Sequence, residues 1–409
     1  MDFLQKLTLK MKTLMDSNWL FIVSLIDLLG ASLFMPLFAT HLRSLGMSYL
    51  QIGSLSSVYF GAQLVSGPLI GNLSDIYGRK PVLLLTVSVC ALCYCSFGFL
   101  LSYIVILTVR LILGISKHTQ VMCKALVADI IPPDDQSKSH GKLNAIASLG
   151  FVIGPAIGGH IVEMNNGFTL VCLTTCLIFL LNSLIVWIYL PSTLKSQAKN
   201  DSLIGHIKNT FQELLDINWR TSWEILLIKF SFTMCMSLFY SNYVLTLREK
   251  FDFTQKSIGY TVSFQGLIAA ISSMSINKIN NFYVTDKSKF RQLYHSFIIL
   301  GVSFLFLGFV NDYKMYFFVI IFLQGSAALL RVTTIEVLIE KSSSEHRGSI
   351  VGTSSSVVSS AKIVAPFISG FITDYFGQNY NSFLSFVLAI VTSYLCFIMN
   401  KRYETRKSI

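Results

Sequence analysis

The chain has 409 residues, of which 53% are hydrophobic and 13% are charged, and its mean hydropathy is +0.61. Soluble globular proteins carry about 25% charged residues, so this composition excludes a soluble globular protein, a disordered chain, a coiled coil and collagen. The sequence predicts a polytopic membrane protein. Its net charge of +11 fits the lysines and arginines that membrane proteins collect in cytoplasmic loops, so we expect no nucleic-acid partner.

Apolar runs of about 20 residues, the length that a membrane-spanning helix needs, recur along the whole chain. Six runs precede a polar stretch from Pro191 to Thr221, and six follow it. The predicted spans are residues 18–40, 48–70, 81–100, 103–128, 142–163, 168–190, 222–246, 257–276, 291–310, 313–338, 349–373 and 381–400. The span at 257–276 is the weakest, because Ser, Gly and Asn residues interrupt it.

This pattern predicts an all-α polytopic membrane protein of twelve transmembrane helices in two six-helix pseudo-repeats. We expect the first apolar run to be a retained span, because no small-residue cleavage site follows it. The predicted domains are a cytoplasmic N-terminus, a first bundle, a cytoplasmic linker, a second bundle and a cytoplasmic tail, at residues 1–17, 18–190, 191–221, 222–400 and 401–409.

Lysine and arginine residues are distributed unevenly between the predicted loops. With the N-terminus inside, the inner segments hold 21 of the 32 basic residues and the outer segments hold five. Because cytoplasmic loops carry the excess of basic residues, we predict that both termini are cytoplasmic. The choice between the plasma membrane and an organelle membrane stays open. The remaining six basic residues fall inside predicted spans.

The loop after the second span combines glycines, an aspartate and two basic residues in the pattern G-x-x-x-D-x-x-G-R-K, formed by Gly71, Asp75, Gly78, Arg79 and Lys80. The glycines allow a tight reversal between two helices, and Asp75 lies near the positive N-terminal end of the third span. This loop resembles the signature loop of the major facilitator superfamily. By that resemblance, Arg79 pairs with Asp129 at the end of span four in a cytoplasmic gate motif.

Two further spans resemble the same superfamily. Span five carries G-x-x-x-G-P-x-x-G-G, a pattern typical of antiporter branches, at Gly150, Gly154, Pro155, Gly158 and Gly159. Its glycines permit close helix contact and its proline permits a bend. Asp27 followed by Pro36 in span one resembles the drug:proton antiporters. Residues 348–370 look like a worn copy of the span-five pattern, whereas residues 277–291 lack the signature loop.

The segments 110–118 and 181–187 most resemble the animal major facilitator superfamily domain-containing protein 9 group, near the bacterial tetracycline exporters. In the superfamily fold, spans one, four, seven and ten surround a central cavity. Charges at span centres need a bundle interior or a water-filled cavity. The predicted substrate-cavity or coupling residues are Asp27, Arg110, Lys117, His118, Lys124, Lys229, Arg331, Glu336 and Lys362.

Several of these residues have two interpretations. Arg110, Lys117 and Lys124 recur every seven residues, so we expect them on one face of span four. Lys124, Lys229 and Arg331 could equally reach lipid phosphates with their long side chains. His118 could relay protons or pack between helices, and Glu336 could neutralise Arg331 or take part in coupling. Lys117 could bind an anionic substrate, the role we favour, or neutralise Asp27.

Together these features predict a secondary transporter of a small organic solute that works by alternating access. We expect a proton or ion gradient to drive it, with Asp27 as the first titrating candidate and His118 as the second. The excess of embedded cations favours an anionic or polar substrate. The alternatives are a multidrug exporter that exchanges lipophilic cations for protons, and a receptor or scaffold that transports nothing.

The remaining expectations concern what the protein lacks and what surrounds it. The eight cysteines lie in apolar runs with neither a disulfide nor a zinc spacing, and no loop carries a nucleophile with a base. We therefore expect no metal, no cofactor and no enzymatic activity. The predicted partners are the lipid bilayer, a small-molecule substrate and a coupling proton, and the chain is expected to act as a monomer.

Overall fold

A computed structural model of the protein describes residues 2–191, 219–283, 289–340 and 347–408. Regular structure in these residues is entirely helical, which confirms the predicted all-α fold. Most of the predicted linker, residues 192–218, lies outside the described residues.

The helices follow the predicted spans in order. In the first half they are α1 Asp2–Ser44, α2 Tyr49–Tyr77, α3 Arg79–Phe97, α4 Tyr103–Ser116, α5 Thr119–Ile130, α6 Pro133–Ile161 and α7 Gly167–Tyr189. In the second half they are α8 Trp219–Phe251, α9 Gln255–Met274, α10 Ile276–Asn280, α11 Phe290–Phe309, α12 Tyr313–Glu340, α13 Arg347–Phe376 and α14 Asn379–Ser408, with a 3₁₀ turn at Asn281–Tyr283.

Ten segments of the described chain are long and apolar enough to cross a membrane, with α4 and α5 forming one of them. The predicted spans at 48–70 and 257–276 form the helices α2 and α9. Both helices are long enough to cross a membrane, but their composition is less apolar than a candidate span requires. With those two, the described helices include a counterpart of each of the twelve predicted spans. The predicted polytopic membrane architecture is therefore confirmed.

The contacts divide the chain into two compact units. Among the described residues, unit 1 comprises 2–41, 61–191 and 254–263, and unit 2 comprises 42–60, 219–253, 264–283, 289–340 and 347–408. Each unit thus includes a short segment from the sequence half that supplies most of the other unit. The domain limits given above for the two bundles stay a prediction.

In unit 1, α6 packs against α1 through the glycines of the span-five pattern. A Cβ atom built on Gly150 would lie 2.6 Å from the carbonyl oxygen of Leu25, and one built on Gly154 would lie 2.7 Å from that of Leu29. Ser32 Oγ donates a hydrogen bond of 3.0 Å to the carbonyl oxygen of Gly150. Larger residues at these positions would therefore force the two helices apart.

In unit 2, α8 and α13 pack through an apolar cluster of Met234, Leu238, Ala361 and Ala365, all buried. The alanines of α13 leave room for the larger side chains of α8. Close packing of this kind gives the two helices dispersion contacts. Such contacts stabilise helix association in a membrane, where the hydrophobic effect does not drive apolar helices together.

The predicted span at 103–128 corresponds to one candidate membrane span, Tyr103–Ile130, but its helix is interrupted. Helix α4 ends at Ser116 and α5 begins at Thr119. The backbone between them is not helical, since Lys117 has φ −81° and ψ 71° and His118 has φ −121° and ψ 11°. The break interrupts the helix face on which Arg110, Lys117 and Lys124 were expected.

Candidate functional site

A buried ion pair lies at the break between α4 and α5. Lys117 Nζ contacts Asp27 Oδ1 of α1, and their side chains are 9% and 1% exposed. The ring of Phe179 closes the other side, with its centroid 4.5 Å from Lys117 Nζ. An ammonium or a carboxylate alone would be costly at this depth, so each group provides the charge that the other needs.

A second set of hydrogen bonds holds the carboxylate in place. Gln120 Nε2, in the first turn of α5, donates to Asp27 Oδ2 and to the carbonyl oxygen of Ser24, both at 3.0 Å. Ser24 Oγ donates in return to Gln120 Oε1 at 2.7 Å. Both oxygens of Asp27 therefore have donors, one charged and one neutral.

The break itself is supported from α2. Gln63 Nε2 donates a hydrogen bond of 2.7 Å to the carbonyl oxygen of Lys117. Ser66 Oγ lies 2.8 Å from His118 Nε2, and the His118 ring is buried. The imidazole is thus a neighbour of Lys117 along the chain, while its ring contact is with Ser66.

Arg110 is buried in α4 among aromatic rings of unit 1. Its guanidinium carbon lies 4.0 Å from the ring centroid of Phe38 and 5.6 Å from that of Phe97, distances at which cation–π attraction operates. Lys124 is exposed on α5. The three basic residues of span four therefore have three different surroundings.

The signature loop forms a compact polar cluster in unit 1. Arg79 Nη1 lies 2.7 Å from Asp75 Oδ1, and Arg79 Nε lies 3.0 Å from Asp129 Oδ2 in the last turn of α5. Gly78 adopts φ 95°, a conformation that favours glycine, whereas a Cβ on Gly71 would meet open space. The expected contacts are present, and their role in gating stays a prediction.

The embedded acid of unit 2, Glu336, has a partner that was not predicted from the sequence. Glu336 Oε2 lies 3.1 Å from Nζ of Lys289, which precedes α11 with a left-handed backbone at φ 58°. On the same unit, Lys229 Nζ donates to Ser354 Oγ of α13. The described ion pair of Glu336 is thus with Lys289, not with Arg331.

Two cations of unit 2 differ from Lys117 in their surroundings. Arg331 is exposed on α12, and Lys362 on α13 has its Nζ atom 5.6 Å from the ring centroid of Phe60. Arg331 interacts electrostatically with both Lys362 and Tyr240. Within the described part of the chain, no carboxylate forms an ion pair with Arg331 or Lys362.

A row of neutral polar side chains in unit 2 was not predicted from the sequence. Gln324 Nε2 donates to Tyr240 Oη at 2.9 Å and to Gln265 Oε1 at 3.2 Å, and both glutamines are buried. Gln120 and Gln63, beside the ion pair, were not predicted either. The sequence signal for these residues is an amide side chain inside an apolar run. Mean hydropathy over a span does not reveal a single residue of this kind.

Comparison with known proteins identifies the family. The sequence model described as Major Facilitator Superfamily matches residues 20–290 and 283–408. The class B tetracycline resistance protein of Escherichia coli is 24% identical over 360 residues, covering 87% of each chain. The quinolone resistance protein NorA of Staphylococcus aureus (strain COL) is 24% identical over 356 residues, covering 85% of this chain and 87% of NorA.

A solved structure supports the same fold. The crystal structure of the human organic anion transporter MFSD10 (TETRAN) superposes with a TM-score of 0.68 at 20% sequence identity, covering 94% of this chain and 99% of that one. These similarities indicate a transporter rather than an enzyme. The chain belongs to the Major Facilitator Superfamily and is an integral, multi-pass membrane transporter.

Proposed function

We propose that this protein is a secondary active transporter that moves a small organic anion together with a proton by alternating access. The buried pair of Asp27 and Lys117 is the observation that carries the proposal. It joins a group that can accept a proton to a group that can bind an anion, and it lies at a helix break, where membrane transporters commonly form their binding sites.

The two roles that the sequence left open for Lys117 combine in this pair. While Asp27 is ionised, it neutralises Lys117 and leaves no charge for a substrate. When Asp27 takes up a proton, the ammonium of Lys117 loses its partner in an apolar region, and an anion restores the balance. Proton binding and anion binding therefore favour each other, which is the requirement for cotransport.

Further support for an anionic substrate comes from unit 2. Arg331 and Lys362 interact electrostatically with each other, and no described carboxylate pairs with either. Two like charges close to each other repel, and an anionic ligand would reduce that repulsion. Among solved structures, the similar human protein is named as an organic anion transporter.

The test is uptake by proteoliposomes that contain the whole chain, with radiolabelled benzoate and succinate as probes and an imposed pH gradient. We expect uptake that rises with the proton gradient and falls at least about ten-fold in Asp27→Asn and in Lys117→Gln. Asp312→Asn and Lys314→Gln change the same residue types at exposed positions, so they should retain wild-type uptake. Full uptake by Lys117→Gln would contradict the proposal.

A second candidate, exchange of a lipophilic cation for protons, is favoured by the drug-resistance relatives. In that case a cation and a proton would compete for Asp27, so cation binding would release a proton. Tetraphenylphosphonium serves as the probe. Proton release on its addition supports the second candidate, whereas proton uptake on addition of an organic anion supports the first.

Other features of the proposal come from sequence. The distribution of basic residues favours cytoplasmic termini, and the segments 110–118 and 181–187 favour the domain-containing protein 9 subgroup. The glycine pattern of α6 favours export or exchange across an organelle membrane. We infer that one chain suffices for transport, since the proposed coupling pair lies within a single unit.

A further inference from the structure

The loop of unit 2 that lacks the signature pattern contains an open groove instead. The groove has a volume of about 500 Å³ and is lined by Ile279, Phe282, Tyr283, Arg291 and His295. All five residues belong to unit 2. Sites for small molecules have volumes of about 300–1,000 Å³, so this groove has room for more than a single small ion.

Two hydrogen bonds between side chains fix the shape of the groove. One wall is α10 with the 3₁₀ turn that follows it, and the other wall is the first two turns of α11. Gln292, a residue that is 2% exposed, donates from Nε2 to Asn280 Oδ1 at 2.8 Å. Tyr283 Oη lies 3.1 Å from His295 Nδ1. Each bond joins one wall to the other, so tertiary contacts hold the groove in shape.

The α11 wall carries two groups that bind phosphate oxygens. Arg291 and His295 are four residues apart, so they lie on the same face of the helix, and Arg291 is exposed. A guanidinium binds phosphate through paired hydrogen bonds. When Tyr283 donates to Nδ1 of His295, the neutral ring carries its proton on Nε2 and can donate it to another phosphate oxygen. This wall is therefore suited to a phosphate group.

The charge of the loop also favours an anion. Residues 276–295 contain four basic residues, Lys278, Lys287, Lys289 and Arg291, and one acidic residue, Asp286. Lys289 pairs with Glu336, and residues 286 and 287 lie outside the described residues. Lys278 is exposed on the α10 wall, next to Ile279 in sequence. Basic residues in such a position attract anionic lipids when they lie at a membrane surface.

The groove lies at the level of a membrane surface. Helix α11 is a candidate membrane span that begins at Phe290, so its first turns lie where hydrocarbon gives way to lipid headgroups. Phe282 is 85% exposed, and with Ile279 it makes one side of the groove apolar. A soluble phosphate ion would leave that side uncovered, whereas the acyl chains of a phospholipid would cover it.

We propose that this groove, called the α11 groove, binds an anionic phospholipid. The lipid phosphate contacts Arg291 and His295. The start of the acyl chains contacts Ile279 and Phe282. The lipid is a bound partner of unit 2 and not the transported solute, so its binding can be measured without transport.

The test is quenching of a tryptophan reporter, Phe282→Trp, by brominated lipids. The full chain is reconstituted into phosphatidylcholine vesicles that contain dibrominated phosphatidylglycerol or dibrominated phosphatidylcholine, and the signal of the chain without the reporter is subtracted. We expect phosphatidylglycerol to bind beside the reporter about five-fold more strongly, the ratio that corresponds to about 1 kcal/mol for one basic residue. Arg291→Gln should abolish this preference.

Arg402→Gln is the matched control for the loss of a basic residue. Helices α11 and α14 run antiparallel, with the ring centroids of Tyr294 and Phe397 5.5 Å apart, so Arg402 lies at the same end of unit 2 as Arg291. Arg402 is exposed, and its variant should keep the full preference. Arg291→Lys keeps the charge and should keep part of the preference, which separates loss of charge from misfolding.

A competition distinguishes a lipid from a soluble phosphate. Phosphatidylglycerol without bromine should restore the fluorescence, whereas glycerol 3-phosphate and inorganic phosphate, present on both sides of the membrane, should not. Displacement by either soluble phosphate as effectively as by the lipid would overturn the proposal. Equal binding of the two brominated lipids, or a preference that persists in Arg291→Gln, would overturn it as well.

Discussion

Lys117 combines two features that are independent of each other. Its backbone interrupts the helix, with the carbonyl oxygen held by Gln63 at 2.7 Å, and its side chain contacts Asp27. The backbone feature depends on Gln63 and on the local φ and ψ angles, whereas the ion pair depends on the ammonium group alone. Substituting the side chain should therefore alter charge and leave the break in place.

This independence allows stability and transport to be separated. Lys117→Gln leaves Asp27 buried without its cation, and breaking a buried pair in this way costs about 3–5 kcal/mol. We expect a lower Tm in detergent for this variant. Asp27→Asn/Lys117→Gln removes both charges, so its Tm should return close to that of the wild type while anion uptake stays lost.

The outcome for the double variant is decisive for the coupling pair. If it regains stability and also transports at the wild-type rate, the pair is structural only. If it stays as unstable as Lys117→Gln, the two side chains do not depend on each other, and the pairing in the structure is irrelevant to folding.

At the scale of elements, the approach of α6 to α1 depends on residues without side chains. A Cβ on Gly154 would lie 2.7 Å from the carbonyl oxygen of Leu29 and 3.0 Å from the nitrogen of Leu33, whereas a Cβ on Gly71 would meet open space. Gly154→Val should lower the Tm by an amount equivalent to about 1–3 kcal/mol, the usual cost of overpacking.

Gly71→Val provides the comparison for that measurement. It introduces the same side chain into another helix of unit 1, so a general effect of valine would appear in both variants. Equal melting temperatures for the two would show that the contact between α1 and α6 does not require glycine.

The cluster at the turn between α2 and α3 should behave differently from a core contact. Arg79, Asp75 and Asp129 are partly exposed, with side-chain exposures of 19%, 44% and 37%, and exposed ion pairs contribute only about 0–1 kcal/mol to stability. Arg79→Gln should therefore leave the Tm nearly unchanged. If the cluster gates transport, the same variant should lose most of its anion uptake.

A charge exchange tests whether the pairing with Asp129 matters. Because Asp75 would repel an aspartate at position 79, the exchange Arg79→Asp/Asp129→Arg belongs in an Asp75→Asn background. Partial return of uptake supports a gating pair. An exchanged variant that is folded and as inactive as Arg79→Gln contradicts it.

At the scale of the whole molecule, hydropathy and charge predict the membrane class and the order of the helices, because lipid demands long apolar segments. The break was not predicted from local sequence, since neither of its two residues, Lys117 and His118, is proline or glycine. Its carbonyl oxygen at Lys117 is held by Gln63, which reaches the break from α2. Helix breaks that rely on tertiary hydrogen bonds leave no periodic signal.

The charged residues of the candidate site were predictable from the sequence, but most of their partners were not. Asp27 and Lys117 were identified as embedded charges, and the structure brings them together. The partners of Glu336 and Asp374 were not identified, because Lys289 lies between helices and Tyr49 lies 325 positions away from Asp374. Long-range pairing depends on how helices pack, and one sequence does not encode that in its spacing.

The most direct test of the central claim is the linkage between proton and anion binding at Asp27 and Lys117. Purified protein in a weakly buffered detergent solution, with a pH-indicator dye, is mixed with benzoate or succinate. We predict proton uptake on addition of the anion, and none in Asp27→Asn or Lys117→Gln. Proton release, or uptake that persists in Asp27→Asn, would contradict the account.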